Sequence, residues 1–295
     1  VSIFIVFSGG VVRVTGSGLG CPTWPACETG SLTTTPALGI HGLIEFANRS
    51  LTGVLVLAVG WAIVAARLQK PRNRTLTRLA WSQFWLVVAN SIAGGISVLT
   101  GLNPFVVAMH FVLAIALLTT TTLTWHRASQ ATSTSAATFE PVPRTSGVLS
   151  GVLVAATLAL IAIGTLVTGS GQHSGDSAEV PRMGFVWEHV TIVHGVLGTV
   201  VILLAVALYG SLRGRPETSL ARRRVVAFLL VTIAQAALGV LQANIGVPAV
   251  LVALHVLGSA LVWVGVLRVL LDVNPQLVRT IRLPASAGSP VTVLR

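Results

Sequence analysis

The feature that most constrains this chain is a succession of long apolar runs separated by short polar breaks. About 20 helical residues cross a 30 Å hydrocarbon core, so an unbroken run of about 18 or more reads as a membrane span. Hydrocarbon offers no partner to a free N–H or C=O, and only helices and closed barrels satisfy their backbones there. Barrel strands alternate polar and apolar residues, and these runs do not. The chain therefore reads as an all-α integral membrane protein. Runs set against breaks give eight transmembrane helices, over residues 1–14, 41–66, 79–100, 104–124, 147–168, 187–210, 225–245 and 249–271. The first run is short for a span, so this reading expects further residues ahead of Val1.

Only 9% of the 295 residues are charged, yet the formal net charge is +11. Such a charge elsewhere points to nucleic acid. Here it does not, because the basic residues form short clusters between the spans. Arg67, Lys70, Arg72, Arg74 and Arg78 follow span 2, and Arg127 and Arg144 follow span 4. Arg213, Arg215, Arg222, Arg223 and Arg224 follow span 6, and Arg268, Arg279, Arg282 and Arg295 lie at or beyond the end of span 8. Of the 19 Lys and Arg, that leaves only Arg13, Arg49 and Arg182. Lys and Arg stay on the cytoplasmic side, so both termini are placed there and the loops after spans 1, 3, 5 and 7 face outward. The charge reports orientation in a cell membrane, with anionic lipid as its counterpart. The Ser/Thr/Ala-rich segment 127–146 reads as a cytoplasmic linker, and 273–295 as a cytoplasmic tail.

The linker divides an internal repeat. Val14-Thr15-Gly16-Ser17-Gly18 recurs as Val167-Thr168-Gly169-Ser170-Gly171, and Val107-Ala108-Met109-His110 as Val252-Ala253-Leu254-His255. Asn48 answers to His194, and Gly95 to Gly239. Each half holds an even number of spans, so the repeat is parallel, with its axis along the membrane normal. The implied architecture is two pseudo-symmetric four-helix bundles, residues 1–126 and 147–272.

A low charged fraction makes each polar group inside a span a functional candidate. His110 and His255 lie about six residues into outward-starting spans, and His194 about seven. His194 and His255 thus share one depth in one half. Two histidines from facing helices at one depth can ligate a haem iron; either can instead be satisfied by a neighbouring carbonyl. Gly195, Gly198, Gly258 and Ser259 would let a flat macrocycle approach.

Span 2 carries His41, Glu45 and Asn48 at i, i+4 and i+7, on one face, flanked by Arg49. Glu45 and Arg49 form either a helix-end ion pair or part of a polar pocket with Glu45 as proton acceptor. The only cysteines, Cys21 and Cys27, lie on the first outer loop. The outside is oxidising, so they are expected to pair, as a loop staple or as a redox-active couple. His126 and His173 read as solvated loop residues, and His189 as an interface anchor.

These strings resemble the haem A synthase family over nearly the whole chain. The carriers are Arg13-Val-Thr-Gly-Ser-Gly-Leu-Gly-Cys21-Pro-Thr-Trp-Pro-Ala-Cys27, Glu45-Phe-Ala-Asn48-Arg49, and His110, His194 and His255. The resemblance implies oxidation of the carbon-8 methyl group of haem O to a formyl group, giving haem A for terminal oxidase assembly. It implies a haem b (iron) cofactor on His194 and His255 of the carboxy-terminal bundle. It places the substrate haem in the amino-terminal bundle, with His110, Asn48, Arg49 and His41 around it and Glu45 as the catalytic residue, a proton acceptor or a stabiliser of an oxygen intermediate. Both haem sites lie toward the extracytoplasmic side. Implied partners are a haem O synthase, oxidase assembly factors and a second copy of the chain, with no nucleic acid. The family often has His where this chain has Asn48. Iron held by His110 alone keeps an open coordination position, which suits oxidation better than electron transfer. From a different class, the alternative is a non-catalytic b-type di-haem electron carrier.

Overall fold

A computed structural model describes residues 1–132, 143–173, 175–176 and 179–275. Among them are eight α-helices: α1 (Ser2–Val14), α2 (Gly39–Leu68), α3 (Arg74–Leu99), α4 (Pro104–Thr132), α5 (Arg144–Ser170), α6 (Trp187–Ser211), α7 (Ser219–Asn244) and α8 (Ala249–Val273). Seven are long and apolar enough to cross a membrane, and α1 is a shorter apolar helix. The chain is thus a multi-pass, all-helical membrane protein. Large apolar side chains such as Leu57, Trp61, Leu203 and Leu230 are exposed, as lipid-facing positions require.

The helix starts follow local chemistry. Pro104 opens α4, while Pro143 and Pro248 precede α5 and α8; proline lacks the N–H that the first turn leaves unpaired. Asn73 caps α3 by accepting from the N–H groups of Thr75 and Leu76.

Several helices overrun the expected spans at the basic ends. Arg127–Thr132, expected in the linker, are the last turns of α4, and Arg222–Arg224, expected in a loop, lie on α7. Backbone hydrogen bonding does not stop where hydrocarbon stops, and the charged residues find partners. Arg224 Nε donates to Asp272 Oδ2 at 3.2 Å, and the Arg268 guanidinium stacks 4.5 Å from the Trp125 ring. Half of the linker (133–142) and most of the tail (276–295) lie outside the described residues.

Helix α3 packs on α2 and α4, while α5 packs on α6 and α8, and α7 on α6 and α8. The first and last four helices meet where α8 crosses α1 and α4. The largest apolar cluster lies there and beneath α5–α7, around Leu118, Leu153, Val201, Phe228, Trp263 and Val266. In the most apolar stretch of α8, 44% of residues are buried, against 11% for α2, so α8 is the central element. Without a hydrophobic drive between helices in lipid, close packing and side-chain hydrogen bonds hold them. Trp263 Nε1 donates to Thr119 Oγ1 at 2.9 Å across the α8–α4 contact, a bond worth about 0.6 kcal/mol in membranes.

At the end of the molecule away from the basic helix ends, the first glycine-rich string locks onto the segment after the second. Gly18 N–H donates to the Gly175 carbonyl at 2.8 Å, and Leu19 N–H to Asp176 Oδ2 at 2.9 Å. Arg13, at the end of α1, donates to the carbonyls of Thr168 and His173.

Candidate functional site

The α2 face is organised by Arg49. Its Nε donates to Glu45 Oε1 at 2.9 Å. One Nη1 reaches the carbonyls of Thr23 (2.8 Å) and Ala26 (3.2 Å), and Nη2 reaches that of Cys21 at 2.8 Å. Four of the five guanidinium N–H donors thus tie a buried carboxylate to the loop between Cys21 and Cys27. Those cysteines are joined in a disulfide with both residues fully buried. Glu45 itself is only 6% exposed. A loop whose carbonyls converge on one cation cannot shift without moving the carboxylate that shares that cation.

The other α2 residues are held separately. His41 Nδ1 is hydrogen-bonded to Ser17 Oγ at 3.0 Å, beyond the α1 end. Ser8 Oγ, on α1, donates to Asn48 Oδ1 at 2.7 Å. The Asn48 carbonyl is therefore engaged, and its NH₂ group remains as a donor. His110 is on α4, its Nδ1 buried without a hydrogen bond. Among the described residues, no hydrogen bond links His110 to the α2 face.

In the second half, His194 and His255 come together, with ring centroids 6.3 Å apart. Metal–imidazole bonds of about 2.0–2.1 Å on either side of one ion put two ring centres about 6 Å apart, so the spacing fits a shared iron. His194 Nδ1 donates to the Leu160 carbonyl at 3.1 Å. A carbonyl only accepts, so the proton sits on Nδ1 and the Nε2 lone pair is bare, the tautomer a metal ligand needs. A haem supplies four in-plane nitrogens itself and asks the protein for one or two axial donors. A pair here and a single histidine on α4 match that demand.

A common device seats all three histidines. A Cβ on Gly94 (α3) would come 3.3 Å from His110 Cε1, one on Gly164 (α5) 3.1 Å from His194 Cε1, and one on Gly239 (α7) 3.4 Å from His255 Cε1. In each case the Cε1–Nδ1 edge of the ring meets a neighbouring helix where no side chain intervenes. This corrects the repeat register: Gly94, not Gly95, is the counterpart of Gly239. Gly95 instead receives the Trp24 ring of the disulfide loop. Gly258, expected to admit a macrocycle, is covered by the Gln235 side chain.

A model of the COX15-CtaA family, described as cytochrome oxidase assembly protein, matches residues 1–267. The chain belongs to that family. Relatives described as heme A synthase bear out the resemblance. The one from Listeria monocytogenes is 31% identical over 112 residues, 38% of this chain and 36% of the relative. The one from Lysinibacillus sphaericus is 32% identical over 117 residues, 38% of this chain and 36% of the relative. That from Macrococcus caseolyticus is 27% identical over 114 residues, 38% of this chain and 37% of the relative. The chain thus matches little more than a third of the length of these relatives.

Family membership leaves several residues of the site unannounced. Ser8, Leu160 and the histidine-facing glycines carried no polar or periodic signal strong enough to single them out. The matched separations of Gly94 from His110 and Gly239 from His255 were the available clue. His173, expected to be solvated, donates from Nε2 to the Val247 carbonyl at 2.8 Å and so staples the segment after α5 to the α7–α8 turn.

Proposed function

We propose that this chain is a haem A synthase: it oxidises the carbon-8 methyl group of haem O to a formyl group in two successive two-electron steps. The observation that carries this reading is the contrast between a histidine pair spaced for one iron, His194 and His255, and a first half with Asn48 at the paired position and a buried carboxylate, Glu45, on the same helix. The first four helices (1–126) form the substrate bundle and the last four (147–272) the cofactor bundle, related by a pseudo-twofold along the membrane normal. The basic residues at the helix ends support cytoplasmic termini, with both haem sites toward the outside.

His110 holds the substrate iron as a single axial ligand. Asn48, its carbonyl taken by Ser8, presents its NH₂ group to the substrate and leaves the opposite coordination position open. Glu45 takes protons released at the methyl carbon; a positioned base of this kind contributes about 10²–10⁴-fold. Arg49 fixes that carboxylate against the disulfide loop and turns its remaining N–H toward a haem propionate, and His41 closes the outer rim. His194 and His255 fit a haem b, which supplies one-electron exchange when bound. The residues around it keep water out and hold the two rings in register.

An electron carrier with two bis-histidine haems is not favoured, because its fourth ligand position is Asn48, already bonded to Ser8. The test is haem analysis of membranes expressing the chain together with a source of haem O. Appearance of haem A is expected; accumulation of haem O with no formyl haem overturns the proposal.

A further inference from the structure

Buried side-chain polar atoms without a hydrogen bond are rare in native proteins, and each calls for an explanation. Three of them stand on facing sides of α7 and α8: Gln235 Oε1, Gln242 Oε1 and His255 Nδ1. Gln235, Gly239 and Gln242 are spaced i, i+4 and i+7, so they share the α7 face that meets His255. Gly239 abuts the His255 ring.

Helical side chains lean toward the N-terminus of their own helix. Helices α7 and α8 are consecutive, joined by a short turn, and antiparallel. Gln235 therefore leans away from His255, and it indeed lies over Gly258, one turn further along α8. Gln242 leans back from the outer side toward the level of Gly239, while His255 leans outward to meet it. By these directions, two buried groups without partners, a ring nitrogen and an amide oxygen, are aimed at one level. His194 differs, since its Nδ1–H is already received by the Leu160 carbonyl.

We propose that Gln242 is the positioning residue for His255, its Oε1 accepting the Nδ1–H when Nε2 ligates iron. Outer hydrogen bonds of this kind fix the tautomer and raise the ligand's basicity. The inference rests on the haem b site proposed above. It also marks one half as different. The repeat counterpart of Gln242 is Ser97, whose hydroxyl is turned onto the Gly94 carbonyl at 2.6 Å, so that position offers His110 no side-chain acceptor.

The experiment measures haem affinity and midpoint potential on the purified full chain for wild type, Gln242→Leu, Gln242→Glu and Gln235→Leu. Loss of the acceptor in Gln242→Leu is expected to weaken haem binding about 10–100-fold and to raise the potential, because a less basic ligand favours ferrous iron. The stronger acceptor in Gln242→Glu shifts the potential the other way. Gln235→Leu leaves both near wild type. If Gln242→Leu binds haem as wild type does with an unchanged potential, or Gln235→Leu shifts as much, this inference is overturned while the haem site stands. A wild-type chain that binds no haem overturns the parent proposal and this one together.

Discussion

The two halves of the molecule carry the same histidine seat and surround it differently. In the second half, His194 and His255 face each other across 6.3 Å. Around them are apolar helix, a backbone carbonyl and two amides. In the first half, one of the two paired positions is Asn48, bonded to Ser8. In that half α2 also carries a buried carboxylate, Glu45, and the Arg49 guanidinium that ties it to the disulfide loop. In the function proposed above, duplication supplies two places for a flat, axially ligated group, and divergence makes one a saturated electron site and leaves the other open and equipped to handle protons.

The largest effect should come from the pair. His255→Ala is expected to abolish haem binding in the second half, read as loss of the bis-histidine spectrum, while any haem bound through His110 persists. Equal loss from both halves would merge the two sites. Next, Glu45→Ala should cut turnover by about 10²–10⁴-fold with haem content unchanged. If haem is lost instead, Glu45 is structural. Asn48→His should make the halves alike: the haem bound through His110 becomes six-coordinate and low-spin, which electron paramagnetic resonance reads directly. A spectrum identical to wild type would place Asn48 away from the iron.

Smaller effects follow from the supports. Cys21→Ser with Cys27→Ser opens a short loop and should cost about 2 kcal/mol of stability, measured by thermal unfolding in detergent, with turnover falling alongside because Arg49 loses its anchored carbonyls. Unchanged turnover would separate the loop from Glu45. Gly94→Ala should displace the His110 ring by a few tenths of an ångström, shifting the spectrum of that haem and leaving the His194–His255 signal unmoved.

Much of this was legible in the residues. Apolar run length found all eight helices and most of their ends to within three residues, because hydrocarbon thickness and backbone satisfaction leave few options; α3 and α7 start five and six residues earlier and α4 ends eight later. Depth counting placed His110, His194 and His255 correctly on their helices. The helix ends were less legible: Arg222–Arg224 and Arg127 carry charge, which marks the membrane boundary, while the helix continues through it. The partners of the polar groups were not legible. That Arg49 would bind the carbonyls of Cys21, Thr23 and Ala26 depends on how the loop folds back, and a backbone carbonyl has no letter in the sequence. The glycine seats were one residue out of register, since Gly94 and Gly95 are adjacent and only packing distinguishes the one facing His110 from the one under Trp24.

The account turns on the claim that the two halves ligate haem differently. The most direct measurement is the haem complement and spin state of the purified chain loaded with haem O, compared with its His110→Ala and His255→Ala variants. The account predicts a low-spin bis-histidine haem that survives His110→Ala and vanishes in His255→Ala, together with a haem bound through one histidine that shows the reverse pattern. Two identical low-spin haems, or a low-spin haem that survives His255→Ala, would contradict it.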